Sequence, residues 1–177
     1  MSEKQLINGC LNGERGAQKE LYFLYSRKMM GLCMRYVGNR ETACDLLQDG
    51  FVKVFTSLNT YSGTGSFEAW MRKIFVNVTI EHFRKKDILY DSMDLESIQS
   101  SIEDNSTVSR LSAEMIMELV QQLPDGFRTV FNLFAIEGYS HKEIGDMLQI
   151  SEATSRSQYA RARQWLKSRM EEEGIKN

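Results

Sequence analysis

Two short helical patterns stand next to each other within residues 140–167, and their spacing restricts this stretch to one motif. Ser140 and Glu143 are three residues apart, which is the spacing of a capping box at the start of a helix. Residues 149–150 form a brief turn, and Ser151 follows as the cap of a second helix. Two helices joined by about three residues predict a helix-turn-helix.

The second helix of this motif has one side that faces the domain and one basic side. The inward side is spaced four, three and four residues apart and consists of Ser155, Tyr159, Ala162 and Leu166. The outward side suits the major groove, because small side chains permit close approach and arginine can bond guanine or phosphate. It consists of Arg156, Ser157, Ala160 and Arg161, with Arg163, Lys167 and Arg169 extending it towards phosphates or solvent. The pattern predicts a reader of double-stranded DNA.

The charge of the chain is distributed in blocks, although the net charge is only −2. Residues 67–86 carry five basic side chains against two acidic ones, and residues 151–170 carry five against one. Between them, residues 87–125 carry nine acidic side chains and one basic one. Part of this acidic segment is polar and poor in aromatic residues, which is typical of a linker without a core of its own. Its negative charge can mimic nucleic acid or can serve solubility alone.

The chain is rich in residues that tolerate helix interiors and contains a single proline, Pro124. A hydrophobic content of 42% over 177 residues is sufficient for one medium core or two small ones. We therefore predict an all-α fold of two small helical domains joined by an acidic flexible linker. The predicted domains are residues 1–90 and 111–177, and the predicted linker is residues 91–110.

The first domain begins with an amphipathic pattern over residues 17–37, whose apolar stripe is Leu21, Leu24, Tyr25, Met29, Leu32, Cys33 and Tyr36. Gly38 and Asn39 break this helix, and Thr42 is predicted to cap the next one. The second helix has a buried face of Leu47, Phe51, Val54 and Leu58. Its polar residues Asp45, Gln48 and Asp49 lie on other faces, and on their own they are typical of a solvated surface.

A glycine-containing loop, residues 60–66, precedes a helix with an apolar inner side and basic outer positions. The inner side carries Phe67, Trp70, Met71, Ile74 and Val78, and the other positions include Arg72, Lys73, Asn77 and Arg84. Aromatic rings followed by cations suit single-stranded nucleic acid, since bases stack on the rings and cations hold phosphates. Core packing is favoured for Phe67, whereas core packing and base stacking remain equal alternatives for Trp70.

The chain shows no pattern of an enzyme or a metalloprotein. Cys10, Cys33 and Cys44 lack metal-ligand spacing and are predicted to pack in the core. We find no paired carboxylates in a suitable setting and no Ser-His-Asp or Cys-His arrangement, so neither catalysis nor a cofactor is expected. The first residues lack the pattern of a signal peptide, and no apolar run approaches the roughly 20 residues of a membrane span. We therefore predict a cytoplasmic protein without membrane insertion.

Three segments together resemble the extracytoplasmic-function (ECF) sigma factors of the sigma-70 family. They are DLLQDGF at residues 45–51, FEAWMRKIFVNVTIEHFRKK at residues 67–86, and the stretch from LPDGF to ARARQWL at residues 123–166. The resemblance covers nearly the whole chain, and the three segments occur in the family's order and at its separation. The resemblance implies an alternative sigma factor that binds core RNA polymerase, recognises promoter elements near −35 and −10, and aids promoter melting. It also implies an anti-sigma factor as a partner.

The resemblance assigns roles by position. Asp45, Gln48 and Asp49 match the polymerase-binding helix, with Phe55 as an apolar partner, so an interface becomes the favoured interpretation of this polar face. Residues 61–66, with Tyr61 and Ser62, match the loop that captures a flipped promoter base. The helix beside the melted −10 region is matched by Trp70, Lys73, Asn77 and Arg84. The −35 recognition face is matched by Arg156, Ser157, Ala160, Arg161 and Arg163.

Some positions depart from the family's pattern. Glu81 replaces a common aspartate, Gln149 replaces a glycine of the turn, and Ala153 and Ser155 replace a glycine and a valine. A left-handed backbone at Gln149 would cost roughly 1 kcal/mol. The replacements at Ala153 and Ser155 together predict a slightly different packing of the recognition helix.

Two other function classes remain open from the sequence. An ordinary helix-turn-helix regulator would explain residues 140–167 but would leave residues 45–51 without a role. An adaptor built of helical bundles would give no promoter-dependent transcription in a purified system.

Overall fold

The structure is a computed structural model that describes residues 2–85 and 113–172, and all regular secondary structure in these ranges is helical. The chain divides into two compact units, residues 1–82 and 83–177. These observations confirm the predicted all-α fold with two helical domains. The predicted linker at residues 91–110 lies outside the described residues.

The described helices of the first unit are α1 (Glu3–Leu11), α2 (Arg15–Val37), α3 (Arg40–Ser57), a 3-10 turn (Leu58–Thr60) and α4 (Phe67–Lys85), whose last turn crosses the division. A capping box starts α1, since Ser2 Oγ accepts the Gln5 N–H and the Gln5 side chain accepts the Ser2 N–H. The core contains residues of every helix, among them Leu6, Leu21, Met29, Leu32, Tyr36, Phe51, Val54, Met71 and Phe75.

The junction of α2 and α3 differs from the prediction in one respect. Gly38 ends α2 in the left-handed region with φ +66°, and its N–H donates to the Met34 carbonyl. Asn39 is extended and its side chain accepts the Thr42 N–H at 2.8 Å, so Asn39 caps α3. The predicted cap at Thr42 is wrong, because Thr42 already lies within the first turn of the helix.

Helices α3 and α4 approach each other closely at Gly50. A Cβ atom on Gly50 would overlap the ring of Phe75, which is fully buried. The ring of Phe51 meets that of Phe75 edge-on, with 5.4 Å between the centroids. The missing side chain therefore permits the aromatic packing that places α4 against α3.

The predicted apolar faces are confirmed except at one position of α2. Leu47, Phe51, Val54 and Leu58 are all buried on α3 and the following turn. Leu24 is 56% exposed, although it was placed in the apolar stripe of α2. It lies four and seven residues before Lys28 and Gly31, which are also exposed, so it belongs to the solvent side of the helix.

The second unit is described as α5 (Ala113–Gln122), α6 (Asp125–Phe131) continued by a π turn (Asn132–Ile136), α7 (His141–Leu148) and α8 (Glu152–Glu172). Pro124 precedes α6, and Gly138 follows the π turn with φ +81°. One apolar cluster joins α5, α6 and α8, and its buried members are Leu119, Val120, Leu123, Phe127, Ala162 and Leu166.

A buried arginine fixes the connection between α5 and α6. The guanidinium of Arg128 donates to the carbonyl of Gln121 at 2.7 Å, donates to the carbonyl of Leu123 at 3.3 Å, and pairs with Asp125. Burial lowers the pKa of Arg128, while Asp125 acts in the opposite direction. These bonds satisfy carbonyl groups at the end of α5 and hold the platform on which α8 packs.

Candidate nucleic-acid interface

The predicted capping box at the start of α7 is confirmed. Oγ of Ser140 accepts the Glu143 N–H at 3.2 Å, and Oε2 of Glu143 accepts the Ser140 N–H at 2.8 Å. The cap satisfies backbone donors on both sides of the helix start. It fixes where the first helix of the motif begins.

The turn between α7 and α8 is tight and left-handed. Gln149 adopts φ +58° and ψ +41°, and its N–H donates to the carbonyl of Gly145, which also accepts the N–H of Ile150 at 3.0 Å. A Cβ atom on Gly145 would lie 2.8 Å from the Ile150 carbonyl oxygen. The turn thus combines a left-handed residue at Gln149, which costs about 1 kcal/mol, with a glycine that admits the returning backbone.

Ser151 caps α8, as predicted. Its Oγ accepts the Thr154 N–H at 3.0 Å and lies 2.8 Å from Oγ1 of Thr154. The two caps and the short turn together complete the helix-turn-helix.

A buried hydrogen bond joins the two helices of this motif. Nδ1 of His141 lies 2.9 Å from Oγ of Ser155, and the two residues are 8% and 0% exposed. The His141 ring also stacks on Phe134, with 4.2 Å between the centroids. Burial lowers the pKa of His141 and Arg156 lowers it further, while Glu152 acts in the opposite direction.

This bond gives a physical reason for the departure at Ser155. The Ser155 hydroxyl lies where the neighbouring helix offers a ring nitrogen as partner. No local pattern indicates the role of His141, because its partner lies 14 residues away and only the fold brings them together.

The inward side of α8 is confirmed at Ser155, Ala162 and Leu166, which are buried. Tyr159 is half-buried and packs on Phe134 with 4.6 Å between the ring centroids. Gln158 was not predicted to be buried, yet it is 4% exposed, and its Oε1 has no hydrogen-bond partner among the described residues. The signal was present in the spacing, since Gln158 follows Ser155 by three residues and precedes Ala162 by four.

The outward side of α8 carries the five predicted −35 residues. Arg156, Ser157 and Arg163 are exposed, whereas Ala160 and Arg161 are partly covered. Nη2 of Arg156 lies 2.5 Å from Oε1 of Glu152, an ion pair that the sequence analysis missed despite its four-residue spacing. The face therefore presents arginine donors beside small residues, the combination that suits a DNA groove.

In the first unit, an aromatic cluster of Tyr61, Phe67 and Trp70 lies beside the glycine-containing loop. The Tyr61 ring is 5.1 Å from Phe67 and 5.6 Å from Trp70, measured between centroids. The Tyr61 hydroxyl donates to the Gly65 carbonyl at 2.9 Å and closes the loop. Phe67 is fully buried, which confirms core packing, whereas Tyr61 and Trp70 keep part of their surface exposed. The two partly exposed rings are available for stacking.

The predicted polar positions of α4 form a stripe along one side of the helix. Lys73 follows Trp70 by three residues, Asn77 follows Lys73 by four, and Arg84 follows Asn77 by seven. Lys73, Asn77 and Arg84 are all exposed. Ser62 is exposed in the loop at the Trp70 end of this stripe. Cationic side chains along a helix that starts in an aromatic cluster can hold a single strand.

Helix α3 presents the predicted polar face to solvent. Asp45, Gln48 and Asp49 are exposed, and Val52 continues the same side with 63% exposure. Phe55 is half-buried, and its ring lies 6.1 Å from that of Phe51. The face places carboxylates beside exposed apolar surface, which fits the polar rim and apolar core of a protein interface.

The cysteines behave as packing residues. Cys10 and Cys33 are buried, as predicted, whereas Cys44 is only half-buried. Burial raises the pKa of the Cys33 thiol to about 12. No group of three or more metal-ligating side chains occurs within residues 2–85 and 113–172. Across those same residues, no helix is long and apolar enough to cross a membrane.

Two family models match the chain in order. The sigma-70 region 2 model matches residues 21–88, which include the α3 face and the aromatic loop, and the sigma-70 region 4 model matches residues 113–166, which include the helix-turn-helix. The chain belongs to the sigma-70 family. As a sigma factor it binds core RNA polymerase and promoter DNA, and it directs promoter-specific transcription initiation.

Curated relatives of this sigma factor place it in the ECF group. It is 28% identical to the RNA polymerase sigma-H factor of Pseudomonas aeruginosa, over 92% of this chain and 90% of that protein. It is also 28% identical to the ECF RNA polymerase sigma factor SigW of Bacillus subtilis, over 96% of this chain and 97% of that protein. The ECF RNA polymerase sigma-E factor of Haemophilus influenzae is 25% identical, over 97% of this chain and 96% of that protein.

Two solved structures share the fold of this sigma factor. The sigma factor RpoE in complex with the anti-sigma factor NepR from Bartonella quintana superposes with a TM-score of 0.50 at 19% identity, covering 85% of this chain and 94% of that chain. CnrH in complex with the cytosolic domain of CnrY gives a TM-score of 0.51 at 19% identity, covering 97% of this chain and 98% of that chain.

Proposed function

We propose that the two units of this alternative sigma factor divide promoter recognition between them. Residues 1–90 bind the polymerase clamp and the −10 element, residues 111–177 bind the −35 element, and residues 91–110 link the two. The observation that carries this proposal is the exposed arginine-rich face of α8 on a fully capped helix-turn-helix.

At the −35 element, α8 enters the major groove of double-stranded DNA. Arg156, Ser157, Ala160 and Arg161 lie within the first three turns of the helix, where recognition helices meet base edges. Arg163 lies further along and meets the phosphate backbone. The His141–Ser155 bond and the left-handed turn at Gln149 hold this face at a fixed angle to α7.

At the −10 element, the aromatic loop and α4 hold the melted strand. Extruding a base costs a few kcal/mol, and stacking on Tyr61 and Trp70 offsets part of this cost. Ser62 and Asn77 offer hydrogen bonds to bases, while Lys73 and Arg84 hold phosphates. Closure of the loop by the Tyr61–Gly65 bond keeps the ring in place before DNA arrives.

The polymerase contact is the exposed face of α3. Asp45 and Asp49 supply negative charge, Gln48 supplies hydrogen bonds, and Phe55 supplies apolar contact beneath them. Charged positions on such a rim increase the rate of association with a basic partner.

Tethering to polymerase makes weak DNA contacts effective. A single DNA-binding unit of this size binds with strong salt dependence. When polymerase holds both units, each one raises the effective concentration of the other at spaced promoter elements. Specific initiation therefore requires the α3 face and both DNA-binding units together.

We further propose that this sigma factor is cytoplasmic and non-enzymatic, and that an anti-sigma factor holds it inactive. Of the two solved structures with the same fold, RpoE is in complex with the anti-sigma factor NepR and CnrH is in complex with the cytosolic domain of CnrY. A charged groove-binding face and an exposed polymerase face are both surfaces that such a partner can cover.

Run-off transcription tests the proposal. Core polymerase is combined with the full chain on a pool of genomic fragments, and the transcript starts are mapped by sequencing. We expect a set of starts preceded by two shared elements, and loss of these starts in the Arg156→Ala, Arg161→Ala double variant. Starts that match those of core polymerase alone, or that persist in the double variant, would contradict it.

A further inference from the structure

Glu152 and Arg156 form an ion pair at the start of the recognition helix. Nη2 of Arg156 lies 2.5 Å from Oε1 of Glu152, one helical turn away. The Arg156 and Glu152 side chains are 64% and 46% exposed, so solvent screens their attraction and the pair adds little to folding stability. A role in binding accounts for this position better than a role in stability.

The cap of α8 does not use the Glu152 carboxylate. Oγ of Ser151 accepts the Thr154 N–H at 3.0 Å and lies 2.8 Å from the Thr154 hydroxyl. Glu152 directs its carboxylate to Arg156 instead. The positive end of the helix dipole favours an acid in this turn, but the Glu152 carboxylate is not needed for the cap and is free to act through Arg156.

The pair changes the electrostatics of the end of α8 that meets DNA. A helix N-terminus attracts phosphate through its free N–H groups and its dipole. The carboxylate of Glu152 opposes this attraction and neutralises Arg156, while Arg161, Arg163 and Lys167 follow without an acidic residue between them. The first turn of α8 is thus a poor site for binding a phosphate, whereas the cationic turns that follow can bind phosphates.

We propose that Glu152 is a specificity-determining residue of the −35 contact, an inference that rests on the proposed function of α8. At a cognate site Arg156 donates to O6 and N7 of a guanine, and Glu152 accepts from the N4 amino group of a neighbouring cytosine. At other sequences the carboxylate meets phosphate or keto oxygens and repels them. Glu152 therefore selects against wrong sites while its partner binds the right one.

Holoenzyme reconstituted with the full chain tests this inference. Its affinity is measured for a promoter fragment from the run-off experiment and for the same fragment with a scrambled −35 element, over a range of salt concentrations. In the Glu152→Gln variant we expect affinity for the scrambled fragment to rise about three- to tenfold, with a salt slope that is steeper by about one. The ratio of the two affinities should fall accordingly.

A promoter library randomised over the −35 element tests the base contact itself. Sequencing the fragments bound by holoenzyme should show a cytosine preference at one position for the natural chain. The Glu152→Ala variant removes the acceptor as well as the charge, and we expect this preference to disappear.

A matched control lies on the same helix. Arg169 and Glu172 form a similar exposed pair, with 2.9 Å between Nη1 and Oε2, near the other end of α8. Glu172→Gln should leave the affinity ratio unchanged, and identical behaviour of Glu152→Gln and Glu172→Gln would overturn the inference. Arg156→Ala distinguishes the two ways in which the inference can fail. If Glu152→Gln behaves like the control and Arg156→Ala also leaves −35 binding unchanged, the proposed function of the α8 face fails. If Glu152→Gln behaves like the control but Arg156→Ala abolishes −35 binding, only the role of Glu152 is wrong.

Discussion

His141 and Ser155 are hydrogen-bonded across the junction of α7 and α8, with 2.9 Å between Nδ1 and Oγ and both residues buried. Each unit contains one tryptophan, Trp70 or Trp165, so their unfolding can be followed separately. In a Trp70→Phe background, Trp165 fluorescence reports the second unit alone.

Replacing Ser155 by alanine should destabilise the second unit. The change leaves the buried His141 nitrogen without its partner, and an unsatisfied buried polar group costs about 1–3 kcal/mol. Urea unfolding followed by Trp165 fluorescence measures the difference. Ser157→Ala is the control, because Ser157 is exposed and bonds only its own helix backbone at Thr154, and a change within about 0.5 kcal/mol is expected there. Equal effects of the two substitutions would refute the structural importance of the buried bond.

Acidification should weaken the second unit through His141. Burial and the nearby Arg156 place the pKa of His141 below its usual value of 6.5 in the folded chain. The unfolded chain therefore binds a proton first as the pH falls, so the free energy of unfolding decreases below about pH 6.5 and levels off once folded His141 is protonated too. Unfolding at pH 7.5 and pH 5.5 measures this loss. A His141→Gln variant should show a smaller loss, and an unchanged pH dependence would rule out His141 as its source.

A methyl group at Gly50 should disturb the first unit. Gly50→Ala places a Cβ atom on the Phe75 ring, and overpacking of this kind costs about 1–3 kcal/mol. Trp70 fluorescence during urea unfolding, in a Trp165→Phe background, reports the change. Gly31→Ala is the matched control, since Gly31 is exposed on α2 and a Cβ there meets nothing within 4 Å, and a gain of up to about 1 kcal/mol is expected from helix propensity. A Gly50→Ala chain as stable as the natural one would show that α4 can move away from α3 without cost.

Charge reversal on α3 should weaken the complex with core polymerase. We expect the Asp45→Lys, Asp49→Lys double variant to bind at least tenfold more weakly, because both exposed carboxylates lie on the proposed contact face. Fluorescence anisotropy of labelled chain with core polymerase measures the affinity. The double variant Glu118→Lys, Glu171→Lys changes the net charge equally on exposed positions of the second unit and should bind normally. Unchanged binding of the α3 variant would remove this face from the interface.

Removing one hydroxyl should slow promoter opening. Tyr61→Phe loses the bond to the Gly65 carbonyl while keeping the ring, so we expect the loop to loosen and the opening rate to fall several-fold. Permanganate reactivity of unpaired thymines in a holoenzyme–promoter complex measures opening. Tyr22→Phe is the control, since the Tyr22 ring of α2 packs on the Phe51 ring of α3, away from the loop. Normal opening by the Tyr61 variant would mean that loop closure is not needed.

Local signals in the sequence were sufficient for the helix starts at Ser140 and Ser151 and not for the contacts between helices. The caps at Ser140 and Ser151 were predictable, because a capping side chain bonds the backbone two or three residues later. The α3 cap was assigned to Thr42 instead of Asn39, because both residue types cap helices and only the backbone angles distinguish them. Leu24 was misplaced for a related reason, since a 23-residue helix such as α2 has several sides that carry apolar residues.

The interior of the recognition helix shows the other limit. Gln158 is polar, so composition favoured the surface although its spacing matched the buried side. The bond of His141 to Ser155 depends on the angle between α7 and α8, which the left-handed Gln149 determines. No periodicity within one helix contains that angle.

The residues that hold α8 in place and the residues that α8 presents outward are different residues. His141, Ser155 and Ala162 are buried, whereas Arg156 and Ser157 are exposed on the opposite side. Evolution or design can therefore exchange the outer residues one at a time while the scaffold beneath them stays intact. A single scaffold of this kind can yield a series of orthogonal regulators, each of which addresses its own set of genes in the same cell.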